Sequence, residues 1–376
     1  MGKRIAIVTI YGIPNFGSIL QAYALQRYLE ATKKDSEVLL VNYDYRGFIH
    51  RVKRIRETGF VSFLKNEIAL ILRIIPDNKK KKLAKFQEFR NLYLKETRCY
   101  TNSISLLFSN EIKKFDVFIT GSDQVWNTRE LHGDLTYLLD FVPNNKKKIS
   151  YSSSFGLDYI GDGYKKSFQK LLNKYDAISV REKRGITLIE ELGVDKPIDV
   201  TCDPTLLLES TDYSALVATS KAIINEPYIL VYGLSYAFNP MPAIFDVINL
   251  AVAQYKCKVI FLTNGNIPFE GRAEYVLDAG PADFIKYVLN AKFIITSSFH
   301  GTLFSIIFRK PFAAIAPKSG DTRIFDILDD LNIGRVLVVP NSPCIALSND
   351  NIYNGSFEEQ LKRYIEKSKV YLDKNI

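Results

Sequence analysis

Residues 4–43 read RIAIVTI (4–10), YGIPNFGS (11–18), ILQAYALQRYLEATKK (19–34) and, two residues later, EVLLVNY (37–43). The first block is an apolar run of strand length, and the second is a turn carrying Gly, Pro and Asn. In the third, Leu20, Tyr23, Ala24, Tyr28 and Leu29 share one face at i, i+3, i+4 spacing, as an amphipathic helix requires. The last block reads as a second strand. Strand, glycine-bearing turn, helix and strand make a βαβ unit, and such units build parallel sheets.

The same alternation continues outward from this unit. DVFIT (116–120) runs into GSDQVWN, KISYSSS (148–154) into FG, AISV (177–180) into a helix from Arg181, and IDV (198–200) into TCDPTLLL. After a break near Glu209 to Glu226 come YILVYG (228–233), a helix through Ile244 to Ala253, CKVIFLT (257–263) and a helix at PADFIKYVLN (281–290). FIITSS (293–298), the helix HGTLFSIIF and the strand FAAIA follow. A chain of 376 residues is too long for one ordinary core. The expected fold is α/β, with two Rossmann-like domains facing a central cleft. Residues 1–208 form the first domain, with a basic helical insertion at about 46–96. Residues 209–350 form the second, and 351–376 form a C-terminal helix that can return to the first. Ligands in such sheets sit at the carboxyl ends of the strands.

Hydrophobic residues at 47% and charged residues at 24% are ordinary for a globular protein. Cys99, Cys202, Cys257 and Cys344 lie far apart, without metal-ligand spacing, and read as free thiols in a reducing compartment. No signal-peptide pattern is visible, and the most apolar stretch, Phe60 to Ile75, is broken by Lys65, Glu67 and Arg73. A cytoplasmic protein, at most peripheral to a membrane, is expected. Between Arg46 and Lys85, twelve Lys/Arg face only Glu57, Glu67 and Asp77, an excess equal to the whole formal charge of +9. The basicity therefore belongs to one segment, which fits an anionic membrane surface or a solvated exterior. Its interleaving is aliphatic rather than aromatic and matches no nucleic-acid recognition fold, so a nucleic-acid partner is not expected.

Three strand-end junctions concentrate polar chemistry. In ITSSFHGT (295–302) a strand gives way to a helix at small polar residues beside His300, one of only three histidines. A helix N-terminus offers unpaired N–H groups and a positive dipole end, which suits an anion on Ser298, Gly301 and Thr302. The plainer alternative is a serine cap with His300 as filler. TGSDQVWN (120–127) brings together Ser122, Asp123, Gln124, Trp126 and Asn127: polar partners for sugar hydroxyls and an aromatic face for sugar C–H groups. Its plainer alternative is an Asx-type turn with Trp126 as a buried anchor. In SVRE (179–182), Arg181 is placed to fork onto phosphate or carboxylate, or else to start an exposed helix. The YGIPNFGS loop adds Asn15 but is not a dinucleotide fingerprint.

Together, NFGSILQAYAL, TGSDQVWN, SVRE, DPTLLL and TSSFHGTLFSIIFRKPF resemble the polysaccharide pyruvyl transferase family, in order and over nearly the whole chain. The resemblance implies a fold similar to GT-B glycosyltransferases, phosphoenolpyruvate as donor, and a pyruvate ketal on a sugar as product. It implies Arg181 and His300 as donor contacts, and GDTR (320–323) places Arg323 among them. Many relatives carry arginine two residues before the histidine; Ser298 stands there here, which leaves Arg323 and Lys318 as nearby cations. The implied chemistry needs a proton donor, which suits His300, and a carboxylate to take hydroxyl protons, which suits Asp123. Neither metal nor cofactor is expected, phosphoenolpyruvate being a substrate. The acceptor is expected to be a sugar of a surface polysaccharide such as a capsule, or its lipid-linked repeat unit, with galactose and N-acetylmannosamine both compatible. A GT-B glycosyltransferase using a nucleotide sugar remains the alternative, since architecture alone does not separate the two. A non-catalytic membrane-docking subunit would leave the polar strand ends unexplained.

Overall fold

A computed structural model describes residues 2–44, 76–132, 134–233, 238–262, 269–318, 322–342, 347 and 352–376. The chain forms two compact units, one of residues 1–204 with 368–376 and the other of residues 205–367.

The first unit is built on a parallel sheet of β1 (Arg4–Val8), β2 (Glu37–Leu40), β3 (Val117–Thr120) and β4 (Lys147–Ser150), in spatial order β2-β1-β3-β4. β5 (Ile178–Val180) and β6 (Ile198–Val200) form a further parallel pair, joined to β4 by a bridge from Ile149 to Ala177 and to the loop after β4 by one from Ser153 to Val180. β3 is buried along its whole length, as strands covered on both faces are. Helix α1 (Phe16–Thr32) connects β1 to β2 and is buried on nearly every side. Its buried amide N–H groups are paired: Gln21 donates to Thr9 and to the Ser18 carbonyl, and Gln26 to the carbonyls of Val38 and Lys95.

Helix α2 (Asp77–Tyr93) begins directly after Pro76, where the missing N–H costs the helix nothing. The part of the basic segment before it, including every arginine between 46 and 73, lies outside the described residues. Within Lys79–Lys82, Lys82 is not a surface charge. It is 9% exposed, sits 5.0 Å over the Phe16 ring, and burial lowers its ammonium to about 8.

The second unit is a six-stranded parallel sheet of β7 (Tyr228–Tyr232), β8 (Lys258–Leu262), β9 (Ala273–Val276), β10 (Phe293–Thr296), β11 (Phe312–Ile315) and β12 (Leu337–Val338). Its order is β12-β11-β10-β7-β8-β9. Ile229, Val231, Val259, Phe261, Phe293 and Ile295 from the central strands pack against Ile244, Val247 and Ile248 of α3 (Ala243–Tyr255). Helices α4 (Phe299–Ile307), α5 (Arg323–Asp330) and α6 (Gly355–Asn375) complete the elements used below. The last turns of α6 belong to the first unit. Ser368 Oγ accepts the Cys202 N–H at 2.7 Å, and the Tyr371 hydroxyl donates to the Ser150 carbonyl at 2.8 Å. No helix among the described residues is long and apolar enough to cross a membrane.

Candidate functional site

Polar groups gather at the carboxyl ends of the strands in each unit. In the first unit the chain leaves β3 through Gly121 at φ +106°, where an added Cβ would stand 2.2 Å from the Tyr151 carbonyl oxygen. Asp123 follows at φ 73° and Ser152 lies at φ 49°, a conformation that side-chain-bearing residues rarely adopt. The two loops are laced together. Ser154 N–H donates to the Asp123 carbonyl at 3.0 Å, and Trp126 N–H to the Ser154 carbonyl at 3.1 Å.

This lacing fixes the Asp123 carboxylate, which is 7% exposed as a residue. Its Oδ2 accepts Ser18 Oγ at 2.6 Å and its Oδ1 the Gln124 N–H at 2.9 Å. Arg181 follows β5 directly, with Nη2 3.6 Å from Asp123 Oδ1 and Nη1 donating to Asp203 Oδ2 at 2.8 Å. The side chains of Arg181 and Asp203 are 1% and 0% exposed. Ser122 Oγ lies 3.2 Å from the same Asp203 oxygen. Glu182 is buried as well: its Oε1 accepts Ser154 Oγ, Phe155 N–H and Gly156 N–H, so SVRE is no exposed helix start. Beside Asp203, burial pushes the Cys202 thiol up to about 11, which leaves it protonated and unreactive at neutral pH.

Several expectations for this loop are corrected. Trp126 is fully buried, donates its indole N–H to the Tyr137 carbonyl at 3.1 Å and packs on Phe155, Phe168 and Tyr175. It anchors the core and offers no face to a sugar. Ser122, 0% exposed, bonds the Ser152 carbonyl. Asn127, also buried, donates to Gln124 Oε1 at 2.7 Å and accepts the Arg129 N–H at 3.0 Å, which makes it a turn residue. Asn15 caps α1, accepting Gly17 N–H at 2.9 Å and Ser18 N–H at 3.2 Å. Gln124 remains half-buried. The buried Arg181 guanidinium hydrogen-bonds Asp203 through Nη1 and forms an ion pair with Asp123 at 3.6 Å through Nη2, so within this unit it faces two carboxylates.

In the second unit, β10 ends at Thr296, whose hydroxyl donates to the Tyr232 carbonyl at 2.8 Å and accepts the Ser298 N–H at 3.0 Å. Ser298 caps α4 through Gly301 N–H at 3.3 Å, and Thr302 Oγ1 donates to the Ser298 carbonyl at 3.1 Å. At Gly301 an added Cβ would meet Thr296 Oγ1 at 2.3 Å, so the close approach demands glycine. His300 occupies the first turn and is 7% exposed. Its ring meets the Phe299 ring edge-on at 5.4 Å, and the Arg323 guanidinium lies 5.8 Å from the same Phe299 ring. Two nitrogen-bearing side chains and a helix N-terminus thus flank one phenylalanine. Lys318 is exposed and lies on a hollow of about 250 Å³ lined by Phe325, Leu328, Asp329, Gly334, Leu337 and Val339. Ser18, Asp203 and Phe299 were not singled out from sequence. Asp203 carried a visible signal, an Asp-Pro step just beyond a strand. Among the described residues no cluster of three or more His, Cys, Asp or Glu could hold a metal ion.

A family model described as polysaccharide pyruvyl transferase matches residues 15–319. No curated protein matches the sequence significantly. Solved structures share the fold at low identity. The UDP complex of S. aureus MnaA is 14% identical with a TM-score of 0.52, covering 98% of this chain and 91% of that one. The UDP-GlcNAc 2-epimerase of Neisseria meningitidis, bound to UDP-GlcNAc, is 10% identical with a TM-score of 0.52 and covers 99% of both chains. The corresponding epimerase of Methanocaldococcus jannaschii is 12% identical at 0.52, covering 97% and 92%. These are folds of GT-B type, and at such identity the likeness speaks for architecture alone.

Proposed function

This chain belongs to the polysaccharide pyruvyl transferase family, and from that premise we propose that it transfers the pyruvyl group of phosphoenolpyruvate to a sugar as a cyclic ketal. The acceptor proposed is a surface polysaccharide, such as a capsule, or its lipid-linked repeat unit.

The observation that carries the donor assignment is the junction at Ser298–Thr302. A capped helix N-terminus, His300 and the buried Arg323 stand around Phe299. Helix N–H groups and a guanidinium supply the cationic partners that a phosphate and a carboxylate need. Arg323 would stand in for the arginine that many relatives carry where this chain has Ser298.

In the proposed reaction a proton from His300 adds to the methylene carbon of phosphoenolpyruvate, leaving C2 electron-deficient. One sugar hydroxyl bonds to C2 and loses its proton to Asp123. The C2–O bond to phosphate breaks, and phosphate departs with its electron pair. The second hydroxyl bonds to C2 and its proton returns to solvent, giving the ketal and inorganic phosphate. Positioned acid–base groups of this kind contribute about 10²–10⁴-fold in rate. Arg, helix N–H groups and the histidine suffice for charge stabilisation, so the proposed reaction uses no cofactor.

The reading is tested by thermal shift with phosphoenolpyruvate against a panel of nucleotide sugars. A ligand at 100 times its dissociation constant stabilises by about 2.7 kcal/mol. A shift with phosphoenolpyruvate alone is expected; a shift with a nucleotide sugar alone would move the assignment to glycosyl transfer.

A further inference from the structure

We infer that Arg181 and Asp203 are positioning residues for Asp123, a buried Asp–Arg–Asp relay that sets the charge and aim of the acceptor-side base. The inference rests on the reading of Asp123 as the group that takes the acceptor proton.

The relay is built from three strand ends. Asp123 lies beyond β3, Arg181 beyond β5 and Asp203 beyond β6. Arg181 holds Asp203 at 2.8 Å and stands 3.6 Å from Asp123. A planar guanidinium carries donors on two edges in a fixed fork, so it can hold two carboxylates at set angles, whereas a lysine offers a compact point charge without that geometry. Ionised, the three side chains carry one net negative charge. An incoming phosphate would meet that charge, whereas a sugar hydroxyl would meet an acceptor. Asp123 is also the member with most access, its side chain 11% exposed against 1% and 0% for the other two.

Two further neighbours of Asp123 in the network are neutral. Ser18 Oγ donates from α1, and the Gln124 N–H donates from the loop itself. Ser122 bonds between Asp203 and the Ser152 carbonyl. Glu182, next to Arg181, commits its Oε1 to Ser154, Phe155 and Gly156. The charges that the variants change are Arg181, which favours the Asp123 carboxylate, and Asp203, which competes for Arg181 and opposes it, while the buried Glu182 carboxylate is common to all of them. The two pull in opposite directions, and that opposition is the signature to test.

The test compares Arg181→Gln, Arg181→Lys and Asp203→Asn in the full chain, reading kcat against pH and the KM for phosphoenolpyruvate. Loss of the cation should raise the acidic limb of kcat by about 1 pH unit or more, since an opposite charge at such range shifts a carboxyl by about 1–3 units. Asp203→Asn, an isosteric change, should lower the same limb, and Arg181→Lys should fall between wild type and Arg181→Gln. The KM for phosphoenolpyruvate should change less than about twofold throughout. A tenfold rise in that KM with an unmoved pH limb would make Arg181 a donor contact and overturn the inference. If Arg181→Gln does not fold, Asp203→Asn decides alone, and an unmoved limb rejects the relay. Carboxyl titration by NMR on protein with ¹³C-labelled Asp, Asp123 being assigned through Asp123→Asn, separates this from the donor reading. Opposite shifts without turnover of phosphoenolpyruvate uphold the relay and reject that reading. Turnover by wild type with coincident titrations in all variants rejects the relay alone.

Discussion

Ser18 Oγ donates to Asp123 Oδ2 at 2.6 Å, tying the first turn of α1 to the loop that leaves β3. The bond is buried, and its acceptor sits in a left-handed conformation at φ 73° that needs outside support. Removing a buried bond to a charged group costs about 1.5–3 kcal/mol. Ser18→Ala should therefore lower stability by that order in urea unfolding and reduce kcat, while Ser18→Thr should recover part of both. Unchanged kcat in Ser18→Ala would disconnect this bond from the chemistry.

Gly301→Ala tests the second unit. The new methyl would fall 2.3 Å from Thr296 Oγ1, the hydroxyl that holds the Ser298 N–H. Overpacking of this kind typically costs about 1–3 kcal/mol. The helix cap should shift, and the KM for phosphoenolpyruvate should rise at least severalfold. A variant with wild-type donor KM and stability would show that the turn tolerates the methyl and that its geometry does not set donor binding.

Trp126→Phe separates a packing anchor from a sugar platform. The change removes the bond to the Tyr137 carbonyl and part of a ring packed among Phe155, Phe168 and Tyr175. Stability should fall by about 1–3 kcal/mol, with acceptor KM within about twofold of wild type. A large rise in acceptor KM at unchanged stability would return the tryptophan to the acceptor.

Lys82→Met should alter the pH dependence of stability. Burial lowers the folded-state pKa from 10.5 to about 8. Between those values the unfolded chain binds more protons, so stability rises with pH across that window; below about 8 the burial penalty is present in full. The variant should be more stable at pH 7, by up to ~3 kcal/mol, and should lose the rise between about pH 8 and 10.5. The contact with Phe16 offsets some of this gain. Parallel stability profiles for variant and wild type would contradict the burial account.

The βα order was legible because parallel strands buried on both faces are apolar runs, and FIIT, VFIT and FAAI were each read as strands. β9 was missed: AEYV is a half-exposed edge strand, with neither a buried run nor clean alternation. The polar strand ends were legible as places, since turn chemistry sits where a strand yields to a helix. Their division of labour was not. Whether Trp126 faces solvent or Phe168 depends on packing across 42 residues of chain, and local sequence carries no trace of that choice. Arg181 could equally meet an anion from solvent or a carboxylate from a neighbouring strand end, and only the register of β5 beside β6 brings Asp203 to it.

Pyruvyl transfer itself is measured by the product formed from phosphoenolpyruvate and a galactoside, without added nucleotide, followed by ³¹P and ¹H NMR. Inorganic phosphate and a ketal methyl signal are expected in equal amounts. A folded His300→Ala variant should lose about 10²–10⁴-fold in kcat in the same assay. Product appearing only when a nucleotide sugar is supplied, or His300→Ala retaining wild-type kcat, would contradict pyruvyl transfer with His300 as the acid.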